Sequence, residues 1–467
     1  MKVTLNTLRT AGLSPCVVTV LVAALLAACG GGGGDTASSS GYPSGPISCS
    51  VDNQKSWLRD YMNDKYFWYD KQGAPNDIAS SPSAYLDSLL YKPKDKYSFA
   101  QITASFTQFF SEGTRTGYGY SAAYEDTAKT ILKMTLIEPL SPAGLAGVMR
   151  GDTVVSIDGL TLAQITAGQL ARVTTTGVLR TLVLKNAAGV QREVKVQSAT
   201  FSLSPVIKAE VLTAGNGAKV GYLMYQEFIA TGSAALGAAF DKFRTAGVTE
   251  LILDFRYNGG GSTSQARNLA SMAGGPAVDG KVFANYRFSA KQAANNFVQN
   301  FSASSAPAAP LANISRVMVI TSGDTASASE LVINALRPFK DVVTIGSTSF
   351  GKPYAFQPTA DICGFVYNAV NIEIANAAGF ADYSAGFVPK CAVADDLTRQ
   401  FGDAAEGRTA AALSYISTGS CPVAASEPGT NSAKGTNNTA QAAIKNGATN
   451  FSQQTFGETG VPQMLVD

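Results

Sequence analysis

The spacing of apolar residues changes several times along the chain. Between residues 49 and 115 the apolar positions recur at nearly helical spacing. The aromatic side chains Trp57, Tyr61, Trp68 and Tyr69 take part in this pattern. We interpret them as packing residues of a helical core rather than as a ligand site.

Two regions of different pattern follow. Residues 116–200 contain short alternating segments such as RTLVLKN and QREVKVQS, which predict half-buried strands. Residues 201–423 alternate apolar strand segments (KVGYLMYQEF, TELILDF, SRVMVITS, DVVTIGS) with helical segments (SAALGAAFDKFRTAG, TSQARNLASMAG, SASELVINALRPF). This alternation predicts a layered α/β fold. Residues 424–467 are polar and of low complexity, which predicts disorder.

The first residues have the pattern of an export signal. Lys2 and Arg9 precede an apolar run that ends in LAAC. A basic start, a short apolar segment and small residues at a cleavage site predict a secretory signal over residues 1–28. The final cysteine resembles that of a bacterial lipoprotein signal, which implies that Cys29 carries lipid. A plain signal peptide or a short anchor helix remain alternatives.

The lipoprotein resemblance implies a location. Gly30, rather than Asp, follows the cysteine, as in lipoproteins sent to the outer membrane. We therefore expect a protein of the bacterial cell envelope that faces the periplasm and contacts the membrane through Cys29. Residues 29–48 are rich in Gly, Ser and Pro, which predicts a flexible tether.

The composition excludes several classes of function. The 467 residues carry a net charge of +2, so no basic field favours nucleic acid as a partner. The chain contains no histidine, which excludes Ser-His-Asp and Cys-His catalysis and removes the commonest zinc ligand. The cysteines show no C-x-x-C spacing, so we expect neither a metal site nor a cofactor.

Four cysteines remain after the leader. In an exported chain they predict two disulfides, and three connectivities are open. The four residues are Cys49, Cys363, Cys391 and Cys421.

The stretch TASASE, residues 325–330, combines a helix start with a possible nucleophile. Ser327 and Glu330 have the spacing of a capping box ahead of an apolar run, which is a common structural feature. The same position gives Ser327 unpaired backbone N–H groups nearby, notably that of Ala328. Such N–H groups stabilise an oxyanion. A helix cap and a catalytic serine are therefore compatible here.

Lys352 is the candidate base for Ser327. It follows the serine by 352 − 327 = 25 residues, enough for one helix and one returning strand. A free lysine has a pKa of about 10.4, but burial among apolar groups lowers it. A Ser-Lys dyad is thus open to a chain without histidine. We assign Glu330 a positioning role. In DFRYNGGGS, Gly260 is a candidate second oxyanion donor.

The second region resembles a PDZ domain. The stretch PLSPAGLAGVMRGDTVVSIDG places Ser-Pro-Ala before a short helix and Gly-Asp before a strand. The segment Gly117, Tyr118, Gly119 and Tyr120 lies where PDZ domains have their carboxylate-binding loop. Glycines there let backbone N–H groups converge on a chain-terminal carboxylate. The resemblance implies recognition of protein C-termini, although GYGY alone is compatible with a tight turn.

The order of the motifs resembles that of the carboxyl-terminal processing peptidases. A PDZ-like unit is followed by LILDFRYNGGG, TASASELVINAL and TIGSTSFGK. That family implies a crotonase-like α/β core and a Ser-Lys endopeptidase acting on protein or peptide substrates. It places the nucleophile on Ser327, the base on Lys352, the accessory glutamate on Glu330, and the oxyanion donors on Ala328 and Gly260. DKYSF, residues 95–99, also resembles the family. No adaptor or oligomeric state is indicated.

Some residues depart from the family pattern. Asn258 is followed by Gly rather than Pro, Lys352 by Pro353 rather than Gly, and Gln357 lies five residues past the lysine rather than four.

Two rival interpretations exist. SFGK, residues 349–352, matches the S-x-x-K motif of penicillin-binding enzymes, but Gly351 and Pro353 oppose the helix that this motif needs. The chain is alternatively a non-catalytic scaffold that binds peptides or apolar ligands through its PDZ-like unit.

Overall fold

The computed structural model describes residues 45–126 and 128–422, together with the backbone of residues 463–465. The predicted leader, Cys29 and most of the predicted tether lie outside the described residues. Within the described ranges, no helix has the length and apolar character needed to cross a membrane.

Helices dominate the N-terminal region, as predicted. Its elements are α1 (Val51–Lys65), α2 (Pro82–Leu89), β1 (Phe99–Ile102) and α3 (Thr103–Phe110). The Ser50 hydroxyl accepts the Asn53 N–H at 3.3 Å and caps α1. Trp57, Tyr61 and Trp68 are buried in one apolar cluster, which confirms their packing role. Trp68 and Tyr69 nevertheless lie beyond α1, which ends at Lys65.

A small antiparallel sheet forms the second region. Its strand order is β3-β4-β5-β7-β8, with β6 paired to β5, while β2 and β9 pair with each other where the chain enters and leaves. The elements are β2 (Thr114–Gly117), β3 (Tyr120–Tyr124), β4 (Leu132–Ile137), α4 (Pro142–Leu145), β5 (Thr153–Ile157), β6 (Leu160–Thr161), α5 (Leu162–Thr166), β7 (Leu179–Lys185), β8 (Gln191–Gln197) and β9 (Ala199–Ser202).

The third region is built on a six-stranded sheet with the order β10-β11-β12-β16-β17-β22. The first pair is antiparallel and the others are parallel. Its strands and helices are β10 (Val206–Thr213), β11 (Lys219–Tyr225), α6 (Ser233–Ala246), β12 (Glu250–Asp254), β13 (Gly260–Ser262), α7 (Thr263–Gly274), β14 (Val282–Phe288), β15 (Phe297–Asn300), β16 (Arg316–Thr321), α8 (Ala328–Leu336), β17 (Asp341–Gly346), β18 (Tyr354–Ala355), β19 (Thr359–Ala360), β20 (Phe365–Asn368), β21 (Ile372–Ala375), β22 (Cys391–Ala392) and α9 (Gly407–Thr418).

Both faces of this sheet are covered by helices. Neighbouring residues of β12 point in opposite directions: Leu251 and Leu253 join one buried cluster and Ile252 joins another. Helices α6, α7 and α8 contribute to the first cluster, and α9 contributes Ala412 and Ile416 to the second. Burial on both sides explains why these strands are continuously apolar. The predicted α/β architecture is confirmed.

Smaller sheets complete the described structure. Strands β15-β14-β21-β18 form an antiparallel sheet, and β1 joins β20 and β19, which ties the N-terminal helices to the core.

Disulfides link Cys49 to Cys363 and Cys391 to Cys421, which settles the connectivity. One more strand, β23 (Gln463–Leu465), pairs with β13. Disorder was predicted for all of residues 424–467, and at β23 that prediction is wrong.

The parallel strands bring three loops to one edge of the sheet. β12, β16 and β17 are neighbours, so their carboxyl ends lie side by side. The segments that follow these strands carry Gly260, Ser327 and Lys352. Crevices outside the carboxyl ends of such strands are common binding sites in α/β folds.

Candidate active site

Hydrogen bonds hold the loop after β12 against the loop after β16. The Phe255 carbonyl accepts the Thr325 hydroxyl at 2.7 Å. The Asn258 carbonyl accepts the Ala326 N–H at 3.1 Å and the Ser329 hydroxyl at 3.1 Å. These contacts flank Ser327 on both sides, so the glycine loop and the serine are held next to each other.

A buried ionic cluster fixes the start of the glycine loop. The Arg256 side chain is completely buried and donates to the carboxylates of Asp254, Glu406 and Asp395. Burial would raise the pKa of Glu406, but the hydrogen bond and positive charge of Arg256 lower it to about 2. Buried charges are tolerated when they are paired in this way.

Ser327 has an unusual backbone conformation. Its φ of 62° and ψ of −115° are rare for any residue with a Cβ, and such strain costs on the order of 1–3 kcal/mol. The residue is the N-cap of α8 and is 0% exposed. Its hydroxyl oxygen finds no hydrogen-bond partner among the described residues. The hydroxyl is therefore not consumed by helix capping, and it remains available for chemistry.

The Glu330 carboxylate connects the serine to the lysine. One oxygen accepts the backbone N–H of Ser327 at 3.0 Å and that of Lys352 at 2.8 Å. The other accepts the Gly351 N–H at 2.7 Å and the Ser349 hydroxyl at 2.5 Å. Burial raises the pKa of Glu330, and these hydrogen bonds counteract that rise. Glu330 thus holds both backbones in place, which is a positioning role.

Lys352 lies in an environment that favours a neutral amine. The residue is 0% exposed. Its Nζ also lies 3.7 Å from the centre of the Phe356 ring, a contact that favours the charged amine and partly opposes the effect of burial. Burial lowers the pKa of Lys352 well below 10.5, while the negative charges of Asp95 and Glu330 partly oppose this shift. A buried amine whose pKa is lowered becomes neutral at a lower pH than a free lysine, and a neutral amine is able to accept a proton.

The N-terminal region supplies residues to this site that the sequence did not assign a role. The Tyr97 hydroxyl donates to the Gly351 carbonyl at 2.6 Å. Asp95 is buried and accepts the Tyr66 hydroxyl at 2.7 Å and the Ser98 hydroxyl at 2.6 Å. The resemblance of DKYSF to a family segment was the available signal, because Asp95 and Tyr97 belong to it.

The two candidate oxyanion donors differ. Ala328 is the first residue of α8, where backbone N–H groups lack intrahelical acceptors. The Gly260 N–H, however, donates to the Asn258 side-chain oxygen at 2.9 Å. Gly260 lies in the expected loop, but its N–H already has an acceptor there.

The PDZ-like segment lies in the second region, where it joins β2 to β3. Gly117 ends β2 and Tyr120 begins β3, with Tyr118 and Gly119 between them. Gly119 has a φ of 77°, and a Cβ there would lie 2.0 Å from the Ser141 Cβ. Glycine is therefore required at this turn. The Gly117–Tyr120 segment does not belong to the cluster around Ser327.

The S-x-x-K alternative is wrong. Ser349 and Lys352 lie in a loop without helix. Gly351 has a φ of 86°, and a Cβ there would lie 2.3 Å from the Ser384 carbonyl oxygen. The Ser349 hydroxyl donates to Glu330 and accepts the Phe387 N–H at 2.7 Å. Ser349 is thus a positioning residue that the sequence reasoning missed.

Comparisons with known proteins agree with this arrangement. Residues 219–362 match the model of peptidase family S41, and residues 53–99 match the peptidase S41 N-terminal domain. A crystal structure from Bacteroides fragilis, assigned to the S41 proteases, is 28% identical with a TM-score of 0.64. The match covers 77% of this chain and 97% of that one.

The chain belongs to peptidase family S41, that of the carboxyl-terminal processing peptidases. Among S41 relatives, the carboxyl-terminal-processing protease of Picosynechococcus sp. is 27% identical over 229 residues, which are 48% of this chain and 51% of the relative. The chloroplastic carboxyl-terminal-processing peptidase 2 of Arabidopsis thaliana is 26% identical over 249 residues, 52% of this chain and 46% of the relative. The chain thus spans about half the length of these relatives.

Proposed function

We propose that this protein is a serine endopeptidase in which Ser327 is the nucleophile and neutral Lys352 is the general base. The observation that carries the proposal is the Glu330 carboxylate, which accepts the backbone N–H groups of both residues. The lowered pKa of Lys352 supports its role as a base. The unpaired Ser327 hydroxyl supports its role as the attacking group.

The reaction is an acyl transfer to serine followed by hydrolysis. Lys352 Nζ takes the Ser327 hydroxyl proton while Ser327 Oγ bonds to the scissile carbonyl carbon. The protonated amine then gives that proton to the leaving nitrogen, and the C–N bond breaks. Lys352 next takes a proton from water, which attacks the acyl-enzyme ester, and the proton returns to Ser327 Oγ.

Backbone N–H groups would stabilise the negative charge on the carbonyl oxygen. Ala328, at the positive end of α8, is the first donor. Gly260 can be the second donor only if its N–H leaves the Asn258 side-chain oxygen and donates to the oxyanion instead. Removal of one such donor typically costs a factor of about 100 to 1000 in kcat.

We assign recognition of substrate C-termini to the PDZ-like unit. Strand β3 is the end strand of its sheet, so one edge is open to an added peptide strand among the described residues. The glycines of the turn before β3 let backbone N–H groups face a chain-terminal carboxylate. The pocket beside β3 has a volume of only about 10 Å³ and is lined in part by the Glu138 carboxylate, so the assignment rests on the open strand edge and the turn.

The proposed location is the periplasmic side of the bacterial outer membrane, with a lipid on Cys29. The two disulfides support export, because disulfides persist in oxidising compartments. Expression of Cys29→Ala should move the protein from the membrane fraction to the soluble periplasmic fraction. Equal membrane association of both forms would contradict the lipid anchor.

Two substitutions test the chemistry. Purified protein should cleave an unfolded substrate such as reduced casein, and Ser327→Ala should lower kcat by at least about 1000-fold. Lys352→Arg should do the same because arginine does not lose its proton in proteins. Near-ultraviolet circular dichroism should show the same fold for all three proteins.

The same experiment separates the enzyme from a non-catalytic scaffold. If wild type and Ser327→Ala leave the substrate equally intact, the peptidase proposal fails. Full activity of Lys352→Arg would refute the role of the lysine alone.

A further inference from the structure

The strand β23 lies beside the candidate active site. It runs parallel to β13, with Gly260 opposite Gln463, Gly261 opposite Met464 and Ser262 opposite Leu465. Strand β13 therefore pairs with a segment that lies about 40 residues further along the chain than residue 422, where the preceding described range ends.

Only one edge of β13 was available for this pairing. On the other edge, the Phe228 N–H donates to the Gly260 carbonyl at 3.0 Å and the Ser262 N–H donates to the Phe228 carbonyl at 2.8 Å. Successive residues of a strand direct their backbone groups to opposite edges. The N–H and C=O of Gly261 thus face the edge where β23 lies.

This edge passes along the residues proposed for catalysis. Strand β13 follows Asn258, whose carbonyl accepts the Ala326 N–H next to Ser327. On its other side β23 lies near β18, which begins two residues after Lys352. The segment therefore crosses between the glycine loop and the strand that follows the lysine.

The two proposed catalytic residues are inaccessible in this arrangement. Ser327 and Lys352 are both 0% exposed. An endopeptidase must admit an extended chain to its nucleophile, and an open strand edge beside the nucleophile is a natural place for such a chain to add. The present occupant of that edge is the protein's own segment Gln463–Leu465.

We propose that Gln463–Leu465 occupies, in cis, the edge of β13 to which an extended substrate adds, and so blocks the enzyme. This inference rests on the proposed peptidase function. The block is competitive, since substrate and β23 use the same Gly261 backbone groups. Substrate binding must displace β23 before cleavage.

The size of the block follows from the tether. An attached segment has an effective concentration on the order of 1 mM. A tenfold rise in the apparent KM then corresponds to a dissociation constant of about 0.1 mM for the free segment. The value of kcat stays the same, because saturating substrate displaces the segment.

The test compares the full chain with a chain that ends at residue 462. The shortened chain should cleave reduced casein with about tenfold lower KM and unchanged kcat. Full-length Leu465→Pro should behave like the shortened chain, because proline removes the N–H that β23 offers to β13. Identical KM values for the three proteins, with unchanged melting temperatures, would overturn the proposal.

A synthetic peptide provides the matched control. A peptide of residues 458–467 should inhibit the shortened chain competitively, and the same peptide with Leu465→Pro should not. Equal inhibition by both peptides would contradict pairing through the backbone.

A binding measurement keeps this inference separate from the peptidase proposal. In the Ser327→Ala background, a fluorescent 458–467 peptide should bind the shortened chain about tenfold more tightly than the full chain. This result stands even if no form cleaves any substrate. Equal binding to both chains would overturn the block without touching the catalytic assignment.

Discussion

Replacing Glu330 by glutamine is the sharpest test of how this site is held together. The carboxylate accepts four hydrogen bonds, from the backbones of Ser327, Gly351 and Lys352 and from the Ser349 hydroxyl. A glutamine side chain has one accepting oxygen and a donating NH2 group. If the glutamine oxygen accepts the Ser327 and Lys352 N–H groups, its NH2 group points toward the Gly351 N–H and the Ser349 hydroxyl.

The loss in the free energy of unfolding follows from the hydrogen bonds that these partners lose. The Ser349 hydroxyl oxygen can accept from the new NH2, but the Gly351 N–H is left unpaired in a buried place, at a cost of about 1–3 kcal/mol. The remaining bonds lose their charge assistance, about 1 kcal/mol more. Burial disfavours the charged carboxylate, and a neutral amide relieves that cost in part. We expect a net loss of about 2–3 kcal/mol.

Activity should fall as well. The amide disturbs the backbone on both sides of the proposed dyad, and a displacement of about 1 Å costs on the order of 100-fold in rate. Urea unfolding followed by tryptophan fluorescence measures the stability, and casein cleavage measures kcat. Glu193→Gln, at an exposed position of β8, is the matched control and should change stability by less than about 0.5 kcal/mol. If Glu330→Gln behaves like this control in both assays, the positioning role is refuted.

The further predictions concern charge and cross-links. Activity should rise with pH and level off well below pH 10.5, because burial lowers the pKa of Lys352; a flat profile would contradict this. Between that lowered pKa and 10.5 the unfolded state holds the extra proton, so this group's contribution to stability increases with pH in urea titrations. Asp95→Asn removes a charge that raises the Lys352 pKa, so the midpoint of the activity profile should move to lower pH; an unchanged midpoint would refute the coupling. Replacing both Cys391 and Cys421 by serine opens a loop of 30 residues and should cost about 3–4 kcal/mol in urea unfolding, and a loss below 1 kcal/mol would contradict the loop-entropy argument.

The proposed dyad was predictable because its signals are local. Ser327 and Glu330 share one helix start, and Lys352 follows after one helix and one strand. The alternation of strands and helices predicted a layered α/β fold, and in the structure β12, β16 and β17 are neighbouring parallel strands that bring their following loops together. The absence of histidine then left lysine as the available base.

Other features depend on contacts that no local pattern records. The Tyr97 hydroxyl reaches the Gly351 carbonyl across 254 residues of sequence. Gly260 was expected to offer its N–H to an oxyanion. Whether that N–H is available depends on the orientation of the Asn258 side chain, whose oxygen accepts it in the structure. Strand β23 escaped prediction because residues 424–467 were interpreted as one polar region. Its own residues include the apolar Met464 and Leu465, and this short apolar run was the available signal.

The Cys49–Cys363 disulfide also has a mechanical consequence. Cys49 lies two residues before α1, and Cys363 lies between β19 and β20. A force applied to the chain ahead of residue 49 passes through this covalent bond into the sheet that contains β1, β19 and β20. Helix α1 therefore carries none of the load and cannot be unravelled from its first turn. Whatever pulls on the N-terminal end pulls on the body of the molecule.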